Sequence, residues 1–263
     1  MISAVDIRVD FPTSTGQPLT ALDGFDLEVR AGEFVSLVGP SGCGKSTALR
    51  VLAGLQRPTA GTVRLDNGSR TAWMPQQDAL LPWRRAMSNA LIGARLTGRL
   101  TPEVTAEAHQ LFDEFGLTGF ERSWPTQLSG GMRHRLALLR TYLTGAEILL
   151  LDEPFGALDP IRRRQMNSWL TGIWALHPRT AVQVTHDVVE ALLLSDRVLV
   201  MSDRPGRVTS TFTVDRNHPL HHQQRQEIFA LLGTGTPHAA EKYQPQDVRQ
   251  TNPRSTGSNN VEL

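Results

Sequence analysis

Gly39-Pro40-Ser41-Gly42-Cys43-Gly44-Lys45-Ser46 lies between a compact apolar run, Phe34–Val38, and Thr47–Leu52, whose apolar positions recur at helical spacing. Glycines, a lysine and a hydroxyl residue at this spacing, in strand, loop, helix order, fit the phosphate-loop pattern. Each residue type has a physical task. Glycine tolerates the dihedrals that turn successive N–H groups inward, and these form an anion nest at a helix N-terminus, where the helix dipole also favours negative charge. Lys45 is expected to reach the β- and γ-phosphates of a bound nucleotide, and the Ser46 hydroxyl to coordinate Mg²⁺. With Thr47 continuing the set, Gly39 to Thr47 are the expected ATP contacts of this segment. Lysine itself is scarce, because of 27 Lys and Arg residues only Lys45 and Lys242 are lysine. A compact ammonium fits inside such a loop as a point charge, whereas a planar guanidinium does not. Cys43 reads as a small loop residue rather than a nucleophile, since no activating base is identifiable nearby.

Farther along, Ile148-Leu149-Leu150-Leu151-Asp152-Glu153 is an apolar strand that ends in two acids. In an open parallel sheet, ligands bind at the strand ends, so both carboxylates are expected at the mouth of the sheet. Asp152 is expected to hold Mg²⁺, directly or through water, and Glu153 to act as general base on the attacking water, with strand alternation pointing them to different sides.

The rest of the chain is consistent with such a sheet. Strand character at Val5–Phe11 and Phe25–Val29 precedes the phosphate loop, and Thr180–Val184 and Val198–Met201 follow the acidic strand, separated by helical stretches Arg162–Leu176 and Val188–Leu194. Between about 84 and 145 the pattern is helical, at Met87–Leu96, Val104–Phe115 and Gly130–Leu143, which reads as an inserted helical subdomain. A short extension over about 206–232 holds a strand at Val208–Val214 and a helix at Gln224–Leu232. Residues 233–263, rich in Gly, Thr, Pro, Gln, Asn and Ser, lack the large apolar side chains that offset ordering entropy and are expected to be a disordered tail.

A net charge of +1 gives no reason to expect nucleic acid as a partner. The single cysteine favours a reducing, cytoplasmic setting. Met1–Asp10 has neither the basic start nor the apolar block of a signal peptide. No apolar stretch approaches the roughly 20 residues that span a bilayer, so a membrane role has to be borrowed from a partner.

Gln127-Leu128-Ser129-Gly130-Gly131-Met132-Arg133 resembles the signature motif of ABC ATPases, and it lies between the phosphate loop and the acidic strand as that family requires. The resemblance runs over roughly Val5 to Val208. It implies an α/β fold, a P-loop NTPase (RecA-like) core with a mainly parallel sheet, an N-terminal antiparallel β subdomain and the inserted helical subdomain, together forming one ATPase domain over 1–232. It also implies roles for individual residues. Ser129, Gly130 and Gly131 would face the γ-phosphate held by a second, head-to-tail copy of the chain. Gln76 sits where the family has the glutamine that senses Mg²⁺ and water, and His186 matches the histidine that contacts the γ-phosphate. Asp159, in Gly156-Ala157-Leu158-Asp159, would communicate with the opposite subunit, and Phe11 occupies the position of the aromatic that stacks on adenine, with an edge phenylalanine as the alternative. Two residues depart from the pattern: Met132 and His134 stand where the family commonly has glutamine.

Leu80-Leu81-Pro82-Trp83-Arg84 together with Ser-Gly-Gly-Met is similar to the nitrate, aliphatic sulfonate and taurine import branch, and Ala137–Thr141 and the Arg162–Trp169 helix also resemble relatives that import thiamine precursors. The branch implies a peripheral position on the cytoplasmic face of the cell membrane, an integral membrane permease partner and, indirectly, a solute-binding protein. Trp83 is then either part of the permease-facing surface or a buried anchor. The alternative function, a soluble ABC-type ATPase uncoupled from transport, shares the nucleotide motifs but usually carries a coiled-coil insertion or tandem ATPase domains.

Overall fold

The structure, a computed structural model, describes residues 1–14, 16–66, 68–156, 158–214 and 221–232, with the side chains of His221 and His222 set aside. The expected tail at 233–263 lies outside the described residues, as does Ala157.

Two sheets organise the chain. The larger contains β3 (Phe34–Val38), β5 (Thr71–Met74), β6 (Ile148–Asp152), β7 (Thr180–Thr185), β8 (Arg197–Met201) and β9 (Val208–Thr213), in the order β5-β6-β7-β3-β8-β9. All pairings are parallel except β8 with β9. β3, β6 and β7 are buried at every position, so their burial does not alternate, and β6 reads as a continuous apolar run up to Asp152. The smaller sheet is antiparallel, with β1 (Ile2–Phe11) between β2 (Leu19–Val29) and β4 (Ala60–Leu65).

The register of the large sheet sets up the site. Val38 pairs with Thr185, and Asp152 with Val184, so the C-terminal ends of β3, β6 and β7 finish together along one edge. The loops that leave those ends carry the phosphate loop, Glu153 and His186. Helices cover the faces: α1 (Lys45–Leu52) follows β3, α6 (Pro160–Leu176) follows β6, and α7 (Val188–Leu194) follows β7. An apolar cluster beneath the small sheet joins Phe25, Leu37, Leu49 and Leu150. On the other face Phe34 meets Trp174 edge-on at 5.0 Å, within a cluster that extends into the helices between β5 and β6.

Those helices are α2 (Ala86–Ala90), α3 (Ile92–Leu96), α4 (Pro102–Glu114) and α5 (Gly130–Tyr142). Thr101 caps α4 by accepting from the Val104 N–H at 3.3 Å, with Pro102 in the first turn where its missing N–H costs nothing. The single helix expected at Met87–Leu96 is instead two, divided at Leu91. Within α2, Asn89 is fully buried and turned to its neighbours: its Oδ1 accepts from the Leu81 N–H at 2.8 Å, and its Nδ2 donates to the Leu81 and Arg84 carbonyls. A buried amide so satisfied fixes the 81–84 turn. After β9, α8 spans His221–Leu231.

Candidate active site

The phosphate loop leaves β3 and enters α1 through two glycines in the left-handed region, Gly42 at φ 79 and Gly44 at φ 109. A Cβ at Gly44 would lie 2.8 Å from both the Ala21 carbonyl oxygen and a Leu22 methyl, so strain and contact both require glycine there. The Lys45 ammonium donates to the Gly39 and Pro40 carbonyls, each at 2.8 Å, and is almost fully buried. Cys43 is buried beside it, and burial pushes its thiol up, so it is not poised to react.

Ser46 at the start of α1 donates to Asp152 Oδ1 at 2.8 Å, tying the loop to the end of β6. Burial pushes the Asp152 carboxyl up and the Ser46 bond opposes it. The next acid is placed by backbone strain as well as by strand alternation: Glu153 has φ 46, a left-handed conformation that costs a non-glycine residue on the order of 1–3 kcal/mol. Its N–H still bonds the Val184 carbonyl at 2.9 Å, while the side chain turns toward the loop. Glu153 Oε2 accepts from Gln76 Nε2 at 3.3 Å and lies 3.3 Å from His186 Nδ1.

These groups face one cleft of about 630 Å³. Ser41, Gly42, Gly44, Lys45, Ser46 and Thr47 form its floor, Gln76, Glu153 and His186 one side, and Phe11 the other. Gly39, Pro40 and Asp152 stand behind, acting through Lys45 and Ser46. The remaining expected residues are not in this cleft. Ser129 caps α5, its Oγ accepting from the Met132 N–H at 3.3 Å, and Gly130 and Gly131 form the first turn. Asp159 caps α6, accepting from the Arg162 N–H at 3.0 Å.

The structure accounts for the two departures from the motif. His134 Nδ1 meets the Gly130 carbonyl one turn back at 2.8 Å, and Met132 packs on the apolar cluster. The neighbouring Arg133 pairs with Asp78 at 3.1 Å, and Arg140 donates to the Asp78 and Ala79 carbonyls at 2.8 and 2.6 Å. The segment that leaves Gln76 is therefore strapped to α5, with Ala79 held at φ 45.

Two further residues belong to this neighbourhood without having been expected. Arg204, in the turn after β8, lines the cleft; the only sequence signal for it is that β8 ends on the same edge as β3. Glu190, in the first turn of α7, is 2% exposed and bonds to the Gln183 side chain behind His186. Burial, reinforced by Asp187 and opposed by Arg163, pushes its carboxyl up to about 8. Asp187 is itself paired with Arg163 at 3.2 Å. A raised carboxyl keeps its proton in the folded chain after the unfolded chain has lost it. Its contribution is therefore full below the ordinary value of 4.5 and falls away as pH climbs to about 8. Denaturant titrations are expected to show stability falling across that window, by up to about 1.4 kcal/mol per pH unit. Glu190→Gln, which keeps the shape and removes the titration, should flatten the slope; an unchanged slope would assign it to other groups.

Comparison with known proteins places this geometry among relatives. A family model described as ABC transporter matches residues 22–156. An aliphatic sulfonates import ATP-binding protein of Rhodococcus jostii (strain RHA1) is 46% identical over 206 residues, covering 77% of this chain and 80% of that protein. One of Agrobacterium fabrum is 46% identical over 202 residues, covering 76% and 72%. The dimeric structure of a bacterial ABC transporter cassette superposes with a TM-score of 0.70 at 28% identity, covering 82% of this chain and 99% of that one. A dimeric post-hydrolysis state of the same cassette, bound to ADP and Pi, gives 0.70 at 27%, with the same coverage.

Proposed function

We propose, from the premise that this chain belongs to the ABC transporter family, that it powers import of a sulfonate-type solute as one of two identical copies docked on a separate membrane permease. ATP binding and hydrolysis are the activity of the chain. The observation that carries the assignment of residues is the convergence of Gln76, Glu153 and His186 above the phosphate loop.

The phosphates lie on the loop N–H groups, and the Lys45 ammonium, held by two loop carbonyls, turns to the β- and γ-oxygens. Glu153 takes a proton from water as the water oxygen attacks the γ-phosphorus, the bond from that phosphorus to the bridging oxygen of ADP breaks, and phosphate leaves. His186 holds the γ-phosphate, Gln76 orients the water, and Phe11 stacks on adenine. Ser46 Oγ and Asp152, 2.8 Å apart, are hard oxygen donors that fit Mg²⁺, and the Gln76 amide oxygen would complete the set from the same cleft. The ion, when bound, neutralises charge on the β- and γ-phosphates. Ser129, Gly130, Gly131 and Asp159 serve the cleft of the facing copy. Their position outside their own cleft and the dimeric relatives support this reading.

No described helix is long and apolar enough to cross a membrane, and a surface suited to a permease lies on the helical side. A cavity of about 480 Å³, walled by Trp73, Leu81, Ile92 and Leu96, opens beside the turn that Asn89 fixes. Leu96 in its wall is 79% exposed, and Trp83, in the turn that Asn89 fixes, is 70% exposed. Trp83 is thus a surface residue rather than a buried anchor. Such an exposed apolar surface suits the apolar face of a cytoplasmic permease helix and supports a position on the cytoplasmic face of the membrane, with a solute-binding protein engaged through the permease. Trp83→Ser is expected to weaken co-purification with the permease by roughly tenfold or more while leaving ATP hydrolysis by the isolated subunit unchanged; undiminished co-purification would remove Trp83 from the interface. Reconstituted with its permease and solute-binding protein, the subunit should show ATPase activity stimulated by aliphatic sulfonates. Stimulation by nitrate or a thiamine precursor instead would reassign the solute.

A further inference from the structure

The turn between β8 and β9 is built against the phosphate loop. Ser202 closes it, donating its N–H to the Arg207 carbonyl at 2.9 Å and accepting the Arg207 N–H on its Oγ at 3.1 Å. At its tip Gly206 donates to the Ala21 carbonyl at 2.9 Å and accepts from the Asp23 N–H at 3.3 Å, which adds the tip to β2. A Cβ at Gly206 would lie 2.1 Å from the Cys43 carbonyl oxygen, so the turn approaches the loop as closely as only glycine permits. Arg204 is thereby aimed at the loop from a fixed support. Its Nη2 and Nε both donate to the Gly42 carbonyl, at 2.8 and 3.0 Å, and the side chain lines the cleft with Lys45.

The Gly42 carbonyl is one end of a planar peptide whose other end is the Cys43 N–H. Gripping the oxygen therefore fixes where that N–H points, which is back to the Pro40 carbonyl at 3.3 Å across the tip of the loop where Gly42 takes its left-handed turn. A charged donor on a carbonyl makes a stronger bond than a neutral one, so the clamp on Gly42 and the Cys43–Pro40 bond together pin the tip of the loop. Among the described residues no carboxylate pairs with Arg204, so its charge also adds to that of Lys45 in drawing phosphate into the cleft.

We propose that Arg204 is a positioning residue for the nucleotide: by clamping the Gly42 carbonyl it holds the tip of the phosphate loop in its anion-accepting form and so sets affinity for ATP and ADP, not the rate of the chemical step. The inference rests on the nucleotide occupying this cleft. Calorimetric titration of the full chain with Mg·ATP and Mg·ADP, with steady-state kinetics alongside, tests it. Arg204→Ala is expected to raise Kd for both nucleotides and KM for ATP roughly tenfold, with kcat within about twofold, as loss of one charge-assisted hydrogen bond implies. Its Tm without nucleotide should match wild type while the rise in Tm on adding ATP shrinks, and Arg204→Lys, which restores a cationic donor without the planar fork, should recover part of the affinity. Unchanged Kd in Arg204→Ala overturns the proposal, as does an equal loss of Tm with and without nucleotide, which would make the clamp structural only. Lys45→Ala run in parallel separates the two levels: if it binds ATP as wild type does, the nucleotide is not in this cleft and the underlying reading fails instead.

Discussion

Lys45→Ala is expected to abolish most nucleotide binding, raising the Kd for Mg·ATP on the order of 100-fold. Two such factors of ten correspond to about 2.8 kcal/mol, within the range for a desolvated hydrogen bond to a charged group. Lys45 is 6% exposed and its ammonium already donates to the Gly39 and Pro40 carbonyls, so little further desolvation is needed when phosphate arrives. Alanine leaves both carbonyls facing the phosphates with no cation between them. Lys45→Arg should fare little better, because the enclosure that seats a point charge has no room for a planar fork. Isothermal titration decides the matter, with Tm of the unliganded protein as the control for folding. Retained ATPase activity would overturn the phosphate-loop assignment.

Glu153→Gln should reduce kcat by about 10²–10⁴ while preserving ATP binding, the range expected for losing a positioned general base. The amide matches the carboxylate in size and keeps the hydrogen-bonding reach to Gln76 and His186, but it cannot take the proton from water. ATP should then hold two copies together without being consumed, and an ATP-dependent dimer should accumulate on size-exclusion chromatography. Normal turnover in the variant would remove Glu153 from the role of base. A strained backbone at φ 46 makes this position sensitive in a second way. The strain is shared by Gln and by Ala, and only Gly, which lacks a Cβ, relieves it, so comparison of Ala with Gly separates geometry from loss of the side chain.

Much of this architecture was legible in the sequence because its signals are local. The strand Phe34–Val38 and the helix Val188–Leu194 fall where apolar pattern places them, and the phosphate loop and acidic strand end announce themselves by composition and spacing. β4 and β5 were not expected. β4 is mostly exposed, and β5, though its burial alternates, is a four-residue edge strand too short for that period to stand out. The division of α2 from α3 also escaped, since the positions on either side of Leu91 share one helical pattern. At the site, the limit was sequence distance. Arg204 meets Gly42 across 162 residues and Arg133 meets Asp78 across 55, and neither pair leaves a mark in its own neighbourhood. The strained conformation of Glu153 was hidden for a different reason, being imposed by tertiary context on a residue with no intrinsic preference for it.

The strap from Gln76 to the exposed Trp83 joins the cleft to the outer surface, anchored on the way by Arg133, Arg140 and Asn89. Binding free energies coupled through one element are reciprocal. If docking of a partner at Trp83 changes the affinity for ATP by some factor, ATP must change the affinity for that partner by the same factor. The two events thus share a single coupling constant, and measuring it from either end, by titrating nucleotide with partner present or partner with nucleotide present, has to return the same number.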